Sequence, residues 1–253
     1  MAVIGALLQD LKALGVCEGD MILVHSSLNG LRNGYADYAA VTPQNVLDTL
    51  LAAVGEQGTL MLPALSYISV NKTQNLFDQK NTPSCVGIIP EIFRKEYPVY
   101  RSMHPTHSVC AMGKYAKEIT MRHGEDRSPV GENSPFRRML EYNAKILMLG
   151  CGLITMTYMH GVEEAVGTDY VMASDRWEFR MKEDGKEEWS GDYLHHDFAG
   201  FAQRYDRIEN VMEKDIVCGK TLGGKSWLLS AAELERVARM TLDKDQHYFV
   251  DRV

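Results

Sequence analysis

The residues best equipped for chemistry are His160, Glu163 and Glu164, within the run Thr157-Tyr158-Met159-His160-Gly161-Val162-Glu163-Glu164. The run follows an apolar segment, residues 145–150, that reads as a buried strand entering a glycine turn. If the chain is helical after that turn, the three side chains stand at i, i+3 and i+4 and share one face. That spacing suits an imidazole base oriented by a carboxylate at the mouth of an α/β site. It equally suits a capped helix start with a solvated acidic face.

Two further segments are rich in polar chemistry. Residues 101–108 pack Arg101, His104, His107 and the hydroxyls of Ser102, Thr106 and Ser108 into eight positions. Residues 23–30 end an apolar strand in His25, Ser26, Ser27, Leu28 and Asn29. A planar guanidinium such as Arg101 can pair with a phosphate. Any single histidine here can also be a satisfied structural residue, and Ser26 and Ser27 can be a turn that caps the next helix.

Taken together, the chain resembles the aminoglycoside 3-N-acetyltransferase family, which is distinct in fold from the GNAT superfamily. Six pieces carry the resemblance, in order. They are His25-Ser26-Ser27-Leu28, a GTL-x-MP strand over 58–63, and Phe77-Asp78 with Thr82-Pro83 and Gly87. Arg101 to Ser108, Ser134-Pro135 and Thr157-x-x-His160-x-x-Glu163 complete the set. They cover about residues 20–166, and the remainder fits more weakly.

The resemblance implies acetyl-CoA as cosubstrate, with no metal, and transfer of the acetyl group to an amine of an aminoglycoside at the 3-amino group of 2-deoxystreptamine. His160 becomes the general base and Glu163 its orienter, while Thr157 offers a hydroxyl near the thioester. His25, Ser26, Ser27 and Leu28 lie along CoA. Arg101 can pair with a phosphate, and Ser102, His104 and Ser108 can line the pantetheine channel, with His104 favoured over His107; Arg32, in a stretch that departs from the family pattern, can still meet a phosphate. Tyr67 and Asp78 are candidates for the substrate side, with plain surface charge the competing reading for Asp78, and Glu164, extra to the motif, faces either the acceptor or solvent. One departure is the stretch Arg32 to Tyr38, which has a single glycine where a pair is usual. Another is that residues 64–81 hold one acid, Asp78, against Lys72 and Lys80, which is few for a polycationic antibiotic. A non-antibiotic aminosugar or amine, or a non-catalytic acyl-CoA binding role, stands as the alternative.

Composition sets bounds around this chemistry. The chain has 253 residues, 45% of them apolar, enough for one large packed domain. A net charge of −7 argues against nucleic acid and suits a small cationic amine. No stretch is apolar enough to span a bilayer, and no basic leader precedes an apolar run, so no membrane partner is expected. The five cysteines are scattered and never CxxC, which points to a reduced, cytoplasmic setting. Cys151, beside the turn, reads better as a small buried hydrophobe than as a nucleophile. A homodimer is compatible with all of this.

The elements that must hold these groups alternate. Helical spacing over 4–14 ends at Gly15, Met21 to Val24 is a strand, and Thr42-Pro43 opens a second helix. Strands at 59–62, 109–112 and 146–149 are separated by helices at 87–96, 115–122 and from Ser134-Pro135. After 168, Asp184-Gly185 marks a hairpin. A helix follows near 199–213, then a short strand at 216–218, a turn over 219–224 and a closing helix at 231–242. The pattern predicts an α/β fold with a mixed or mostly parallel central sheet flanked by helices and a smaller C-terminal α+β subregion. One domain spans 1–253, with a core of about 1–168 and a subregion of about 169–253.

Two decoys compete. His195-His196-Asp197 suggests a metal, but adjacent strand histidines face opposite ways and no further ligand has fitting spacing, so it reads as a loop. Gly219, Gly224, Lys225 and Ser226 match a phosphate-loop pattern. The match comes too late in the chain to begin a nucleotide-binding core, and it reads as a turn.

Overall fold

The computed structural model describes residues 2–186 and 188–253. Among them, the helices are α1 (Ala2–Leu14), α2 (Leu28–Arg32), α3 (Pro43–Val54), α4 (Ile88–Glu96), α5 (Ala116–Thr120), α6 (Pro135–Arg138), α7 (Tyr158–Val166), α8 (Ile208–Val211) and α9 (Ala231–Leu242). The strands are β1 (Met21–Ser26), β2 (Thr59–Pro63), β3 (Leu76–Asp78), β4 (Tyr100–Arg101), β5 (Val109–Gly113) and β6 (Lys145–Leu149). They continue with β7 (Trp177–Lys182), β8 (Glu188–Tyr193), β9 (Phe201–Gln203), β10 (Ile216–Thr221), β11 (Gly224–Ser230) and β12 (Val250–Arg252). No described helix is long and apolar enough to cross a membrane.

Seven strands form the central sheet in the order β10-β11-β6-β1-β2-β5-β4. The middle trio β6-β1-β2 is parallel, and the flanking pairs are antiparallel. The sheet is therefore mixed, as the sequence predicts. Its strands are apolar on both faces because helices cover both. In β1, Met21 and Leu23 join the core beneath α7 and α9, while Ile22 and Val24 face the core beneath α1 and α3.

Local chemistry explains the element ends. Thr42 accepts the Asn45 N–H through its hydroxyl, with Pro43 in the first turn of α3. Gly15 closes α1 at φ +104°, a conformation that costs glycine little. Asp184 and Gly185 both adopt positive φ, as in a type I′ turn closed by the Lys186 N–H to the Glu183 carbonyl, within the longer loop that joins β7 to β8.

The two halves of the chain exchange strands. β3 pairs with β7 in a small sheet with β8, while β10 and β11 extend the central sheet. A division near 168 therefore runs through both sheets. Two local expectations are corrected. The helix expected near 199–213 shrinks to a 3-10 turn at Tyr205–Arg207 running into α8, because Phe201–Gln203 pairs with β12 instead. The turn expected over 219–224 shrinks to Leu222 and Gly223, between the paired strands β10 and β11.

That hairpin also explains the phosphate-loop look-alike. A Cβ on Gly223 would lie 2.0 Å from the Asn33 carbonyl oxygen, and one on Gly224 would lie 2.9 Å from Gly150 Cα. A Cβ on Gly30 would lie 1.8 Å from the Gly150 oxygen. These glycines are present so that α2, the end of β6 and the hairpin can touch backbone to backbone.

Candidate active site

A cavity of about 730 Å³ opens at the carboxyl ends of the parallel strands, where α/β sheets usually bind ligands. Its floor comes from Val24, His25 and Ser26 of β1, Pro63 of β2 and Cys151 after β6. One wall is His160 and Thr157 at the start of α7. The opposite wall carries Tyr67, Cys85 and Pro90. The roof comes from the C-terminal region through His196, Asp197, Phe198, Phe201 and Tyr205. A smaller recess of about 220 Å³ adjoins Ser26, Ser27, Leu28 and Gly87.

The floor residues are primed but unsatisfied. Burial drives the His25 imidazole down to about 3, so it is neutral at pH 7. Its Nε2 and the Ser26 hydroxyl are buried without partners. Ser27 is committed to structure, since its hydroxyl caps α2 by accepting the Gly30 N–H at 3.1 Å. The Arg32 Nε donates to the Val41 carbonyl at 2.9 Å, which fixes the chain after α2.

His160 lies on the cavity wall, and burial holds it well below the usual histidine range. It is therefore a neutral acceptor at pH 7. Its Nδ1 is buried and unpartnered. Glu163 does not orient it, which corrects the sequence expectation. Glu163 is fully buried, and its two oxygens accept from the Tyr170 hydroxyl at 2.8 Å and the Tyr205 hydroxyl at 2.7 Å. Burial raises its carboxyl to about 7, against the lowering effect of both hydroxyls. The neighbouring carboxylate does meet an imidazole. Glu164 accepts from the Val130 N–H and stands 3.0 Å from His196 Nε2. It is not among the described residues that line the cavity. Burial opposes its ionisation, but the His196 bond and other donors hold it below the usual carboxylate range.

The segment 101–108 contributes differently from what the sequence suggests. Arg101 is buried, and its guanidinium donates to Ser108 Oγ and to the carbonyls of Gln79, Thr82 and Ala64. Four of its five N–H donors are spent inside the fold and it does not line the cavity, which is not the setting of a phosphate partner. Ser108 also donates to the Ala64 carbonyl, and Ser102 meets His123 Nδ1 and the Val109 N–H. His104 is fully buried, stacks on His123 at 4.9 Å and accepts from the His107 N–H. None of Ser102, His104 or Ser108 lines the cavity; His107 does.

Of the residues expected on the substrate side, Tyr67 lines the cavity, as does Cys85, and burial raises both groups. Asp78 does not reach the cavity. It accepts from the N–H groups of Lys80 and Asn81 and from the Asn81 amide, and it pairs with Lys182. Cys151 reaches the cavity, but burial raises its thiol to about 11, which keeps it protonated and poorly nucleophilic. His107, ranked below His104 in the sequence, and His196, read there as a loop residue, both line the cavity with the unforeseen aromatic roof, because only the tertiary fold brings these distant segments together.

Comparison with known proteins agrees with this architecture. The family model described as aminoglycoside 3-N-acetyltransferase matches residues 23–243. Aminoglycoside N(3)-acetyltransferase VIII of Streptomyces fradiae is 31% identical over 192 residues, covering 66% of this chain and 63% of its own length. The aminoglycoside N(3′)-acetyltransferase-like protein YokD of Bacillus subtilis, from the SPbeta prophage, is 30% identical over 175 residues, covering 61% and 62%. The chain thus spans about three fifths of the length of the curated relatives it matches. A solved structure of AAC-IIIb in a binary complex with CoASH superposes with a TM-score of 0.82 at 25% identity. It covers 96% of each chain.

Proposed function

The chain belongs to the aminoglycoside 3-N-acetyltransferase family, and from that premise we propose that it transfers the acetyl group of acetyl-CoA to an amine of an aminoglycoside. The 3-amino group of the 2-deoxystreptamine ring is the acceptor. The observation that carries the reading is a neutral, cavity-lining His160 facing the His25–Ser26 floor across a space of small-ligand size.

In this scheme the acceptor amine attacks the thioester carbonyl. His160 takes the proton from nitrogen as the C–N bond forms. Donors on the floor and Thr157 hold the oxyanion. Collapse breaks the C–S bond, and the proton passes from His160 to the leaving thiolate. The free Ser26 hydroxyl is the donor best suited to the cosubstrate, with His25, Ser27 and Leu28 shaping its path. Tyr67 lies on the acceptor side. Glu163 supports this site indirectly, by tying α7 to Tyr170 and Tyr205. The transfer itself calls for no metal ion. All five cysteines are free, in keeping with a reducing cytoplasm.

A second acceptor class has a specific observation behind it. Asp197 is the one carboxylate among the described cavity-lining residues. That favours an acceptor with fewer ammonium groups than a polycationic antibiotic.

The test is acetyl-CoA-dependent thiol release across aminoglycosides and simple aminosugars. Release with an antibiotic acceptor supports the main reading, and release only with simple amines supports the second. His160→Ala lowers turnover by ~10²–10⁴-fold while CoA binding, measured calorimetrically, is retained. Loss of CoA binding in that variant would instead assign His160 to cofactor placement.

A further inference from the structure

Three imidazoles meet at the cavity from three parts of the chain. His107 comes from the loop before β5, His160 from α7 and His196 from the segment between β8 and β9. Each offers a ligand nitrogen, and these nitrogens all lie within 4.8 Å of one another. The ring centroids stand 4.8 Å apart for His107 and His196, 5.3 Å for His160 and His196, and 5.9 Å for His107 and His160, each pair edge to face.

For two of the three histidines the second nitrogen is held as it is in metal-binding histidines. His196 Nε2 is anchored by Glu164, which is fixed in turn by the Val130 N–H. His107 Nδ1 is anchored by Thr106 Oγ1 at 2.9 Å. A carboxylate or hydroxyl behind an imidazole is the usual way a protein aims its other nitrogen at an ion. The aimed side is unsatisfied. The His196 side chain is 5% exposed, and its Nδ1 has no hydrogen-bond partner; neither has His160 Nδ1. Buried polar atoms without partners are rare and call for an explanation.

We propose that His107, His160 and His196 form a binding site for a divalent transition-metal ion of the zinc type, with its fourth position open to the cavity. Three nitrogen ligands and no ligating carboxylate select zinc, cobalt, nickel or copper over magnesium or calcium. Tetrahedral zinc holds nitrogens at ~2.0–2.1 Å, so the three rings must draw together by roughly an ångström, within the reach of side-chain rotation. The site itself does not depend on the acetyl-transfer reading. One consequence does rest on that reading: a neutral imidazole has one free lone pair, and when His160 gives it to a metal it can no longer take the proton from the acceptor amine. Metal and acetyl transfer then exclude each other, and the site is inhibitory.

The test titrates the full-length metal-free protein with Zn²⁺ calorimetrically and with Co²⁺ by visible absorbance, which reports tetrahedral coordination. One equivalent binds, the tetrahedral cobalt bands appear, and affinity falls at least ~10²-fold in His196→Ala and in His107→Gln. Glu164→Gln, which removes only the anchor, weakens binding by ~10–100-fold. Circular dichroism melts identify any variant that fails to fold, and the two ligand variants serve as independent checks. The proposal is overturned if the folded wild-type chain binds no stoichiometric metal, or if binding is unchanged in both ligand variants. Because the readout is spectroscopic, it stands even if no acceptor is acetylated. If transfer occurs, loss of acetylated product by mass spectrometry at the Zn²⁺ midpoint supports the inhibitory consequence. Full activity with metal bound overturns that consequence.

Discussion

Residues 25–28 and residues 101–108 carry nearly the same chemistry and meet opposite fates. Both place imidazoles and serine hydroxyls next to central-sheet strands, and both match motifs of the family. The first leaves His25 Nε2 and Ser26 Oγ without partners at a cavity. The second turns inward everywhere but at His107, which reaches the cavity, with Arg101 spending its donors on Ser108 and three backbone carbonyls. A motif's residue types therefore do not decide whether it binds a ligand or holds a fold; the number of partners waiting in the chain does. The buried part of the second segment positions the surroundings of the first, since Arg101 and Ser108 both bind the Ala64 carbonyl just after β2, one residue before Leu65 of the cavity.

The comparison is most exposed at Arg101. Arg101→Ala leaves buried carbonyls without donors and should cost about 3–5 kcal/mol of stability in denaturant unfolding. CoA affinity of the variant that remains folded should change little. A selective loss of CoA binding with unchanged stability would break the comparison by returning Arg101 to the cofactor.

A medium effect comes from pH. Burial lowers His25 to about 3 and His123, the partner of Ser102, to about 4. Depressed folded values mean that the stability these groups contribute is present above about 6.5. It is lost as pH falls toward 4 and then 3. Urea midpoints measured from pH 7 to 4 should therefore decline. His123→Asn should reduce the decline without changing CoA affinity, whereas His25→Asn should change both. Equal effects on CoA would erase the distinction between the segments.

The smallest effect sharpens the open side. Ser26→Ala removes a hydroxyl that has no partner in the protein, so its stability change should be within about 0.5 kcal/mol. Its CoA dissociation constant should rise by about 5–10-fold, the worth of one hydrogen bond. An unchanged constant would mean that the cosubstrate bypasses Ser26.

Regular elements were legible where local chemistry is strong. The closing helix has the bounds read from the sequence because Ser230 caps it and its apolar period is unbroken. The Thr42-Pro43 start and the Asp184-Gly185 turn carry their own backbone instructions. The Phe201–Gln203 strand was illegible because it exists only by pairing with residues near the chain end. At the cavity, the position of His160, though not its role, was legible from its place after a strand and turn. The roles of Glu163 and Glu164 were not, because Tyr170, Tyr205 and His196 decide them from other segments. Helical spacing says which residues share a face, but not what packs against it.

The exchange of strands between the halves also governs how the chain reaches this state. Leu76 pairs with Arg180, and Met148 pairs with Trp227. Such distant closures slow folding, because loop entropy is lost before the contacts form. During synthesis, Phe77 must wait for β7 before its buried place exists. A nascent chain halted near residue 170 would hold the floor of the cavity without its roof, and would present an unpaired strand edge to chaperones.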